Sequence, residues 1–185
     1  MALPDLTSAT GQMVQLGIGA GKDGTIYVFN RQNMGKFNPQ NDSALYQVLP
    51  GVLAGPVFSS PAWFNGSVYY GAVGDRIRAF KVSAALLSTQ PTSTTNDVFA
   101  YPGATPAISA NRLSNAILWA VENINPAVLH AYDATNLANE LYNSTQANLG
   151  RDNFGPGNKY VTPTIADGRV IVGGSSSVTV FGLLQ

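Results

Sequence analysis

The chain of 185 residues contains no cysteine and a single histidine, His130. The lack of cysteine excludes disulfide bonds, thiolate nucleophiles and cysteine-ligated zinc, and it leaves the redox compartment open. A lone histidine excludes metal sites built from several imidazoles. It also makes any Ser-His-Asp triad depend on His130.

Charged side chains are scarce, at 11% of the sequence against about 25% in an average soluble domain. Ten basic and ten acidic residues cancel. No strong field therefore attracts nucleic acid or anionic lipid, and we expect neither a nucleic-acid nor a membrane partner. No apolar run approaches the ~20 residues of a membrane helix. The N-terminus also lacks the basic and apolar pattern of a signal peptide.

A repeated strand pattern is what the sequence does contain. Four short apolar strands end in an aromatic residue, at Phe29, Phe80, Tyr132 and Phe181. Their spacing of about 50 residues is typical of propeller blades and related arrays. The 19 glycines and 11 prolines supply the tight turns that such a fold needs.

Turn signals support the strand pattern. Asn65-Gly66 and Asp167-Gly168 are strong hairpin signals, because both residues of such a turn must tolerate a positive φ. A Ser/Thr-Pro pair precedes three of the repeats, and proline belongs at the start of a strand because it has no N–H. These prolines are Pro61, Pro106 and Pro163.

The sequence predicts one all-β domain, residues 1–185, built as a β-propeller of about four blade-like antiparallel sheets. The predicted blades span residues 1–50, 51–101, 102–147 and 148–185. The predicted strands cover residues 12–19, 24–30, 44–49, 57–63, 67–72, 76–82, 98–101, 105–109, 115–121, 127–133, 139–143, 160–165, 169–173 and 177–183.

The first and last predicted sheets leave strand edges open. An unpaired edge is a template for another strand. Either a terminal segment closes the ring within one chain, or two chains pair as a homodimer that completes an eight-blade ring. The sequence leaves both alternatives open.

Two segments carry a resemblance to a known family. Residues 131–136 read Ala-Tyr-Asp-Ala-Thr-Asn, followed by Glu-Leu-Tyr at 140–142, and residues 21–28 read Gly-Lys-Asp-Gly-Thr-Ile-Tyr-Val. The chain resembles the pyrroloquinoline-quinone (PQQ)-like propellers of the quinoprotein alcohol dehydrogenase type, and is similar to the C-terminal half of a longer bacterial protein. Asn136 and Tyr142 replace the glycine and tryptophan that are common there. The resemblance suggests a periplasmic or extracellular protein.

The quinoprotein dehydrogenases of this family hold PQQ between a tryptophan and a vicinal disulfide, beside Ca²⁺ and a catalytic aspartate. This chain has no cysteine, and Trp63 and Trp119 lie in strand patterns typical of core packing. We therefore expect no PQQ site.

His130 shares a strand face with Tyr132, in register with Tyr27, Arg78 and Thr179. The opposite face is apolar in the other sheets, as at Ile26, Val28, Ile77, Ala79, Val178 and Val180. This pattern favours a structural histidine bonded between blades. As a general base, His130 would need a nucleophile and an orienting acid within reach.

The predicted topology places several loops on one rim, where propellers bind ligands. The most suggestive cluster is Arg151-Asp152-Asn153, in a long glycine-punctuated loop. Oxygen ligands of this type suit Ca²⁺. The alternative is that these loop side chains are simply solvated. The predicted rim contains Lys22, Asp23, Asp75, Arg76, Tyr101, Glu122, Asn123, Arg151, Asp152, Asn153 and Lys159.

These patterns predict a non-catalytic propeller module that binds a small molecule or protein at its loop rim. The alternative is an enzyme, either an ester or phosphoester hydrolase with a metal- or histidine-assisted site, or a remnant PQQ-type oxidoreductase. The catalytic candidates are His130, Arg151 and Asp152. The candidate metal ligands are Asp75, Glu122, Asp152 and Asn153, with Ca²⁺ as the candidate ion.

Overall fold

A computed structural model describes residues 1–182 of the protein. Those residues form β-strands and two short 3-10 helices, Ser144–Gln146 and Asn148–Gly150, and contain no α-helix. The predicted all-β class is therefore confirmed. No helical segment in this range has the length and apolar character that a membrane crossing requires.

The strands pair into five antiparallel sheets, none of which closes on itself within residues 1–182. The strands are β1 Leu6–Thr7, β2 Met13–Val14, β3 Leu16–Ala20, β4 Ile26–Asn30, β5 Gln47–Leu49, β6 Ala62–Phe64, β7 Ser67–Gly71, β8 Ile77–Ser83, β9 Leu86–Leu87, β10 Ser93–Thr94, β11 Ala107–Asn111, β12 Ser114–Glu122, β13 Val128–Asp133, β14 Glu140–Asn143, β15 Thr164–Ala166, β16 Arg169–Gly173 and β17 Val178–Phe181. A small hairpin joins β1 and β2. The first sheet is β3-β4-β5; the second is β6-β7-β8-β10, with β9 also on β8; the third is β11-β12-β13-β14; the fourth is β15-β16-β17.

The turn chemistry explains where two of these hairpins form. Asn65 and Gly66 join β6 to β7 with φ values of 41° and 75°. Asp167 and Gly168 join β15 to β16 with φ values of 49° and 68°. Both residues of each turn thus adopt the left-handed conformation that asparagine, aspartate and glycine tolerate best. Each predicted strand-start proline directly precedes its strand, at β6, β11 and β15.

Three apolar clusters lie between consecutive sheets and act as seams. Each strand alternates its side chains, so that a central sheet contributes one face to each neighbouring seam. The first seam joins the first and second sheets through Leu16, Ile18, Ile26, Val28, Val68, Tyr70 and Phe80. The second joins the second and third sheets through Tyr69, Ile77, Ala79, Leu118, Ala120 and Tyr132. The third joins the third and fourth sheets through Leu129, Val170 and Val172.

The last strand of the second sheet differs from the prediction. β10 pairs with Ala79 and Arg78 of β8, within a polar stretch where no strand was predicted. Phe99, from the predicted strand 98–101, makes only an isolated bridge with Asp75. Its ring is instead buried in the second seam. The strand predicted at residues 98–101 is therefore wrong, and Phe99 contributes a buried ring rather than a strand.

Several predicted strands are also shorter. The strand predicted at residues 57–63 begins only at Ala62, and that at 160–165 only at Thr164. The strand predicted at 12–19 is divided between β2 and β3. The final residue of the strand predicted at 177–183 lies outside the described residues.

The outward face of the fourth sheet is more exposed than the repeat pattern implied. Val178 and Val180 of β17 are 70% and 53% exposed. The matching residues of the first and second sheets, such as Ile26 and Ile77, are fully buried. The difference arises because, within residues 1–182, no sheet packs on this face of the fourth sheet.

Candidate functional site

The loops at one end of the four sheets bring together residues from distant parts of the chain. We call this end the loop rim; it includes the connections after β3, β5, β7, β10, β12 and β14. Three rings meet there, and we call them the aromatic patch: Phe58, Tyr101 and Tyr160. They are 39%, 46% and 55% exposed, so that a large share of each ring is accessible.

The three rings of the aromatic patch contact one another edge to face. The ring centroid of Phe58 lies 5.7 Å from that of Tyr101 and 6.3 Å from that of Tyr160. The hydroxyls of Tyr101 and Tyr160 are 2.6 Å apart and share a hydrogen bond. This bond raises the pKa of Tyr160 above its usual value. Edge-to-face pairs of this kind add to the stability that burial alone provides.

Two lysines give the patch a positive charge. The Lys22 ammonium lies 5.6 Å from the centroid of Phe58, and the Lys159 ammonium lies 5.1 Å from that of Tyr101. The Asn123 side chain donates a hydrogen bond of 3.3 Å to the Tyr101 carbonyl. Lys22, Tyr101, Asn123 and Lys159 are all among the predicted rim residues. The sequence did not single out Phe58 or Tyr160.

A small cavity of about 10 Å³ lies beside these rings, with Phe58, Ser59, Asn123 and Tyr160 in its wall. The Ser59 hydroxyl oxygen is buried and has no hydrogen-bond partner among the described residues. Buried hydroxyls are usually paired, because an unpaired one carries the full cost of desolvation. The cavity wall therefore combines an unpaired hydroxyl group with aromatic side chains.

A larger groove of about 220 Å³ opens at the opposite end, between the second and third sheets. Its wall includes Asn65, Lys81 and Thr135, and the Lys81 ammonium already donates a hydrogen bond of 3.1 Å to the Asn65 carbonyl. Pockets that enclose drug-sized ligands usually exceed about 300 Å³. Both cavities are smaller, so a ligand here would be small or would bind largely on the surface.

His130 is buried on β13, at 5% exposure. Its Nδ1 lies 2.6 Å from Glu140 Oε1, and its Nε2 lies 3.5 Å from Glu122 Oε2. Its ring stacks on Tyr132 and meets the edge of Phe99, which comes from the second sheet. Among the described residues, Nε2 has no hydrogen-bond partner. His130 thus has an orienting acid but no hydroxyl nucleophile bonded to it.

Arg151 and Asp152, the other two catalytic candidates, pair with each other. The guanidinium donates two hydrogen bonds, of 2.7 Å and 2.9 Å, to the Asp152 carboxylate. The Tyr142 hydroxyl also donates to Asp152. Arg151 and then Tyr142 lower the pKa of Asp152, while burial and the bond to Asp152 raise the pKa of Tyr142 to about 12. Asn153 instead accepts a hydrogen bond from the Gly155 amide, closing a turn.

Asp75 is a buried structural carboxylate. It accepts hydrogen bonds from the amides of Ala54 and Arg76, and two more from the Arg78 guanidinium, at 2.7 Å and 2.8 Å. Burial alone would raise the pKa of Asp75, but the bonds from Arg78 and Ala54 outweigh it and lower the pKa. These four donors occupy the carboxylate and link the loop before β6 to the second sheet.

The candidate metal ligands Asp75, Glu122, Asp152 and Asn153 are engaged in separate local contacts and are not gathered into one group. Across residues 1–182, a single set of three potential ligand residues lies close together: Asp97, His130 and Glu140. Sequence reasoning missed Asp97 and Glu140. For Glu140 the signal was its place opposite Tyr132 on the neighbouring strand. Asp97 lies in the loop between β10 and β11, distant in sequence from His130, and had no local signal.

The residues present do not fit PQQ. Trp63 packs against the first seam. Trp119 packs against the third seam, and its indole N–H donates a hydrogen bond of 2.9 Å to the Ser109 hydroxyl. Neither ring stands free to cover a flat cofactor, and the chain has no cysteine for the opposing disulfide.

No protein-family model matches the chain, and no curated protein matches it either. The resemblance to PQQ-like repeats therefore depends on the sequence segments quoted above.

Proposed function

We propose that the chain is a PQQ-like β-propeller module that binds a small anionic ligand at its loop rim without catalysing a reaction. The propeller part of the proposal is supported by the four antiparallel sheets, which follow one another in chain order. It is also supported by the three apolar seams, each between consecutive sheets. Sheets that pack face to face in this way are the building plan of a propeller.

The aromatic patch is the observation that carries the binding part of the proposal. Exposed rings held rigidly by their neighbours provide contact area at a low cost in conformational entropy. The lysines at positions 22 and 159 lie over two of these rings, within 5.6 Å of a ring centroid. An exposed apolar surface flanked by cations is complementary to a ligand that combines a ring with a negative charge.

The ligand class that follows is a small carboxylate attached to a sugar or aromatic ring. Ring faces or C–H edges would pack on Phe58 and Tyr160, and the carboxylate would pair with the ammonium groups. The unpaired Ser59 hydroxyl supplies a hydrogen bond in the adjacent cavity. The small volume of that cavity, about 10 Å³, limits what can enter it to a single polar group.

Calorimetric titration with two matched pairs of probes tests this proposal: glucuronate against glucose, and benzoate against benzyl alcohol. We expect the charged member of at least one pair to bind more tightly, because only it can pair with the two lysines. Tyr160→Ala should weaken that binding by about three- to tenfold, the range expected for one aromatic contact. Lys22→Gln should reduce the preference for charge, and Lys22→Gln combined with Lys159→Gln should remove it.

Phe37→Ala is the matched control, since Phe37 is a 90% exposed aromatic residue outside the patch. It should bind the probes as the wild type does. The proposal is wrong if none of the four probes binds, or if Tyr160→Ala and Phe37→Ala behave alike.

We also propose that two chains associate, with the open face of the fourth sheet as part of the interface. Val178 and Val180 expose an apolar stripe there, at 70% and 53%. In this chain the equivalent faces of the first and second sheets are covered by the next sheet. Light scattering on the wild type should give the mass of a dimer, and Val178→Lys with Val180→Lys should give a monomer. A wild-type monomer at high concentration would contradict the pairing.

A further inference from the structure

The buried histidine lies in an excess of negative charge. Three carboxylates surround it, those of Asp97, Glu122 and Glu140. Among the ion pairs found in residues 1–182, none joins these carboxylates to a lysine or arginine. His130 itself is their sole possible cationic partner there. Carboxylates this close repel one another, and a cation between them would relieve the repulsion.

Asp97 reaches this group from the second sheet. It lies in the loop between β10 and β11, and it accepts a hydrogen bond of 2.7 Å from the Tyr132 hydroxyl. The Tyr132 ring stacks almost parallel to the imidazole, with centroids 5.6 Å apart. This hydrogen bond and the ring stacking hold the Asp97 carboxylate beside the imidazole.

The distances fit a compact cation site. One potential ligand atom from each of Asp97, His130 and Glu140 lies within 4.8 Å of the other two. Around a tetrahedral Zn²⁺, with bonds of about 2.1 Å, neighbouring ligand atoms are about 3.4 Å apart. The longest separation would have to shorten by at most about 1.4 Å, which side-chain rotation can supply. The His130–Glu140 contact of 2.6 Å would have to open slightly.

The ligand types favour a transition metal over Ca²⁺. Imidazole nitrogen is a preferred ligand of zinc and its neighbours in the periodic table, whereas Ca²⁺ takes oxygen ligands. One nitrogen and two carboxylates make three protein ligands, which leaves a fourth position for water.

The second ring nitrogen of His130, Nε2, faces Glu122, the carboxylate that lies outside the group of three. This nitrogen is buried and has no hydrogen-bond partner within residues 1–182. When Nδ1 binds a metal, Nε2 keeps its proton and faces the Glu122 carboxylate at 3.5 Å. A carboxylate behind a metal-bound imidazole fixes the orientation of its ring and makes it a stronger ligand.

We propose that Asp97, His130 and Glu140 bind one divalent transition-metal ion at the second seam, with Glu122 as the outer carboxylate behind the imidazole. The site shares no residue with the aromatic patch, so the two proposals stand or fall separately. It also ties the loop that follows β10 of the second sheet to the third sheet, because Asp97 lies in that loop and the other two ligands lie on β13 and β14.

Zn²⁺ is the probe for the test. The full chain is treated with a chelator, dialysed and titrated with Zn²⁺ in a calorimeter. We expect saturable binding of one ion per chain. His130→Gln and Glu140→Gln should weaken it at least as much as the tenfold to hundredfold loss that outer carboxylates typically cause, and Glu122→Gln should fall within about that range.

Asp133→Asn is the matched control, because Asp133 is a carboxylate on the same strand as His130 that accepts bonds from Thr135 and lies outside the group. It should bind Zn²⁺ as tightly as the wild type. Circular dichroism establishes that each variant is folded, and should His130→Gln fail to fold, Glu140→Gln decides the matter. Co²⁺ gives a second readout, since its visible absorption changes when a nitrogen ligand binds.

Two results would overturn the proposal. One is an absence of saturable Zn²⁺ binding, which would leave His130 as a structural residue bonded to Glu140. The other is Zn²⁺ binding that is equally tight in the wild type and in Glu140→Gln.

Discussion

Asp75→Asn is expected to destabilise the protein by about 3 kcal/mol, the lower end of the range for breaking a buried ion pair. Asp75 is 4% exposed and Arg78 is one-quarter exposed. The substitution removes the charge that balances the Arg78 guanidinium. It also replaces one acceptor oxygen with an amide group that donates, so at least one of the four bonds to Asp75 is lost. Urea unfolding followed by tryptophan fluorescence measures the change.

The equivalent loop of the first sheet provides the control. Asp23→Asn changes an exposed carboxylate that bonds to Tyr27 and to the Thr25 amide, and its free energy of unfolding should stay close to that of the wild type. The lowered pKa of Asp75 adds a test by pH. Its stabilising contribution is present above the ordinary value of 3.8 and is lost as the pH falls through the lowered pKa. The difference in the free energy of unfolding between the wild type and Asp75→Asn should therefore become smaller at acidic pH.

Leu118→Ala is expected to lower the free energy of unfolding by about 2–5 kcal/mol. Leu118 is fully buried in the second seam, beside Leu137 and Tyr132. Truncation loses apolar burial and leaves a cavity between two sheets whose strands cannot easily move together. Urea unfolding and the thermal midpoint both measure the change.

Leu113→Ala is the control, because it makes the same truncation of leucine to alanine at an exposed position. Leu113 is 70% exposed in the turn before β12, and its truncation should change the free energy of unfolding by less than about 0.5 kcal/mol. Equal effects at the two positions would mean that the second seam is not a packed interface.

The parts of the fold that could be predicted are those determined by the conformational preferences of one or two neighbouring residues. Asn65-Gly66 and Asp167-Gly168 determine their hairpins because few other residue pairs adopt those φ values at low cost. The strand-start prolines mark where their strands begin for an equally local reason, because proline has no N–H to donate. β10 could not be predicted, because it is a strand of only two polar residues and lacks the alternation of apolar and polar residues that marks a half-buried strand.

The candidate sites divide in the same way. Lys22, Tyr101 and Lys159 were predicted to share a rim because the order of strands places their loops at one end. Phe58 and Tyr160 were predicted to lie in strands, at residues 57–63 and 160–165, whereas both lie in loops before those strands begin. Which rings meet across a rim also depends on the angles between sheets, which local sequence does not reveal. The contact of Asp97 with Tyr132 spans 35 residues of sequence, and neither residue reveals it by spacing. Proximity in sequence can also mislead. Arg151 and Asp152 are adjacent, and their opposite charges neutralise each other.

Gln47 has a consequence for how the first two sheets can move. Its side-chain amide donates a hydrogen bond to the Leu87 carbonyl and accepts one from the Leu87 N–H, both at 2.9 Å. A carboxamide on β5 thereby takes the place of a missing neighbouring strand for β9. Sliding of one sheet along the other would break both bonds in the same step. The two sheets are thus held in one alignment. An apolar contact surface alone would allow them to slide past each other, because it is not directional.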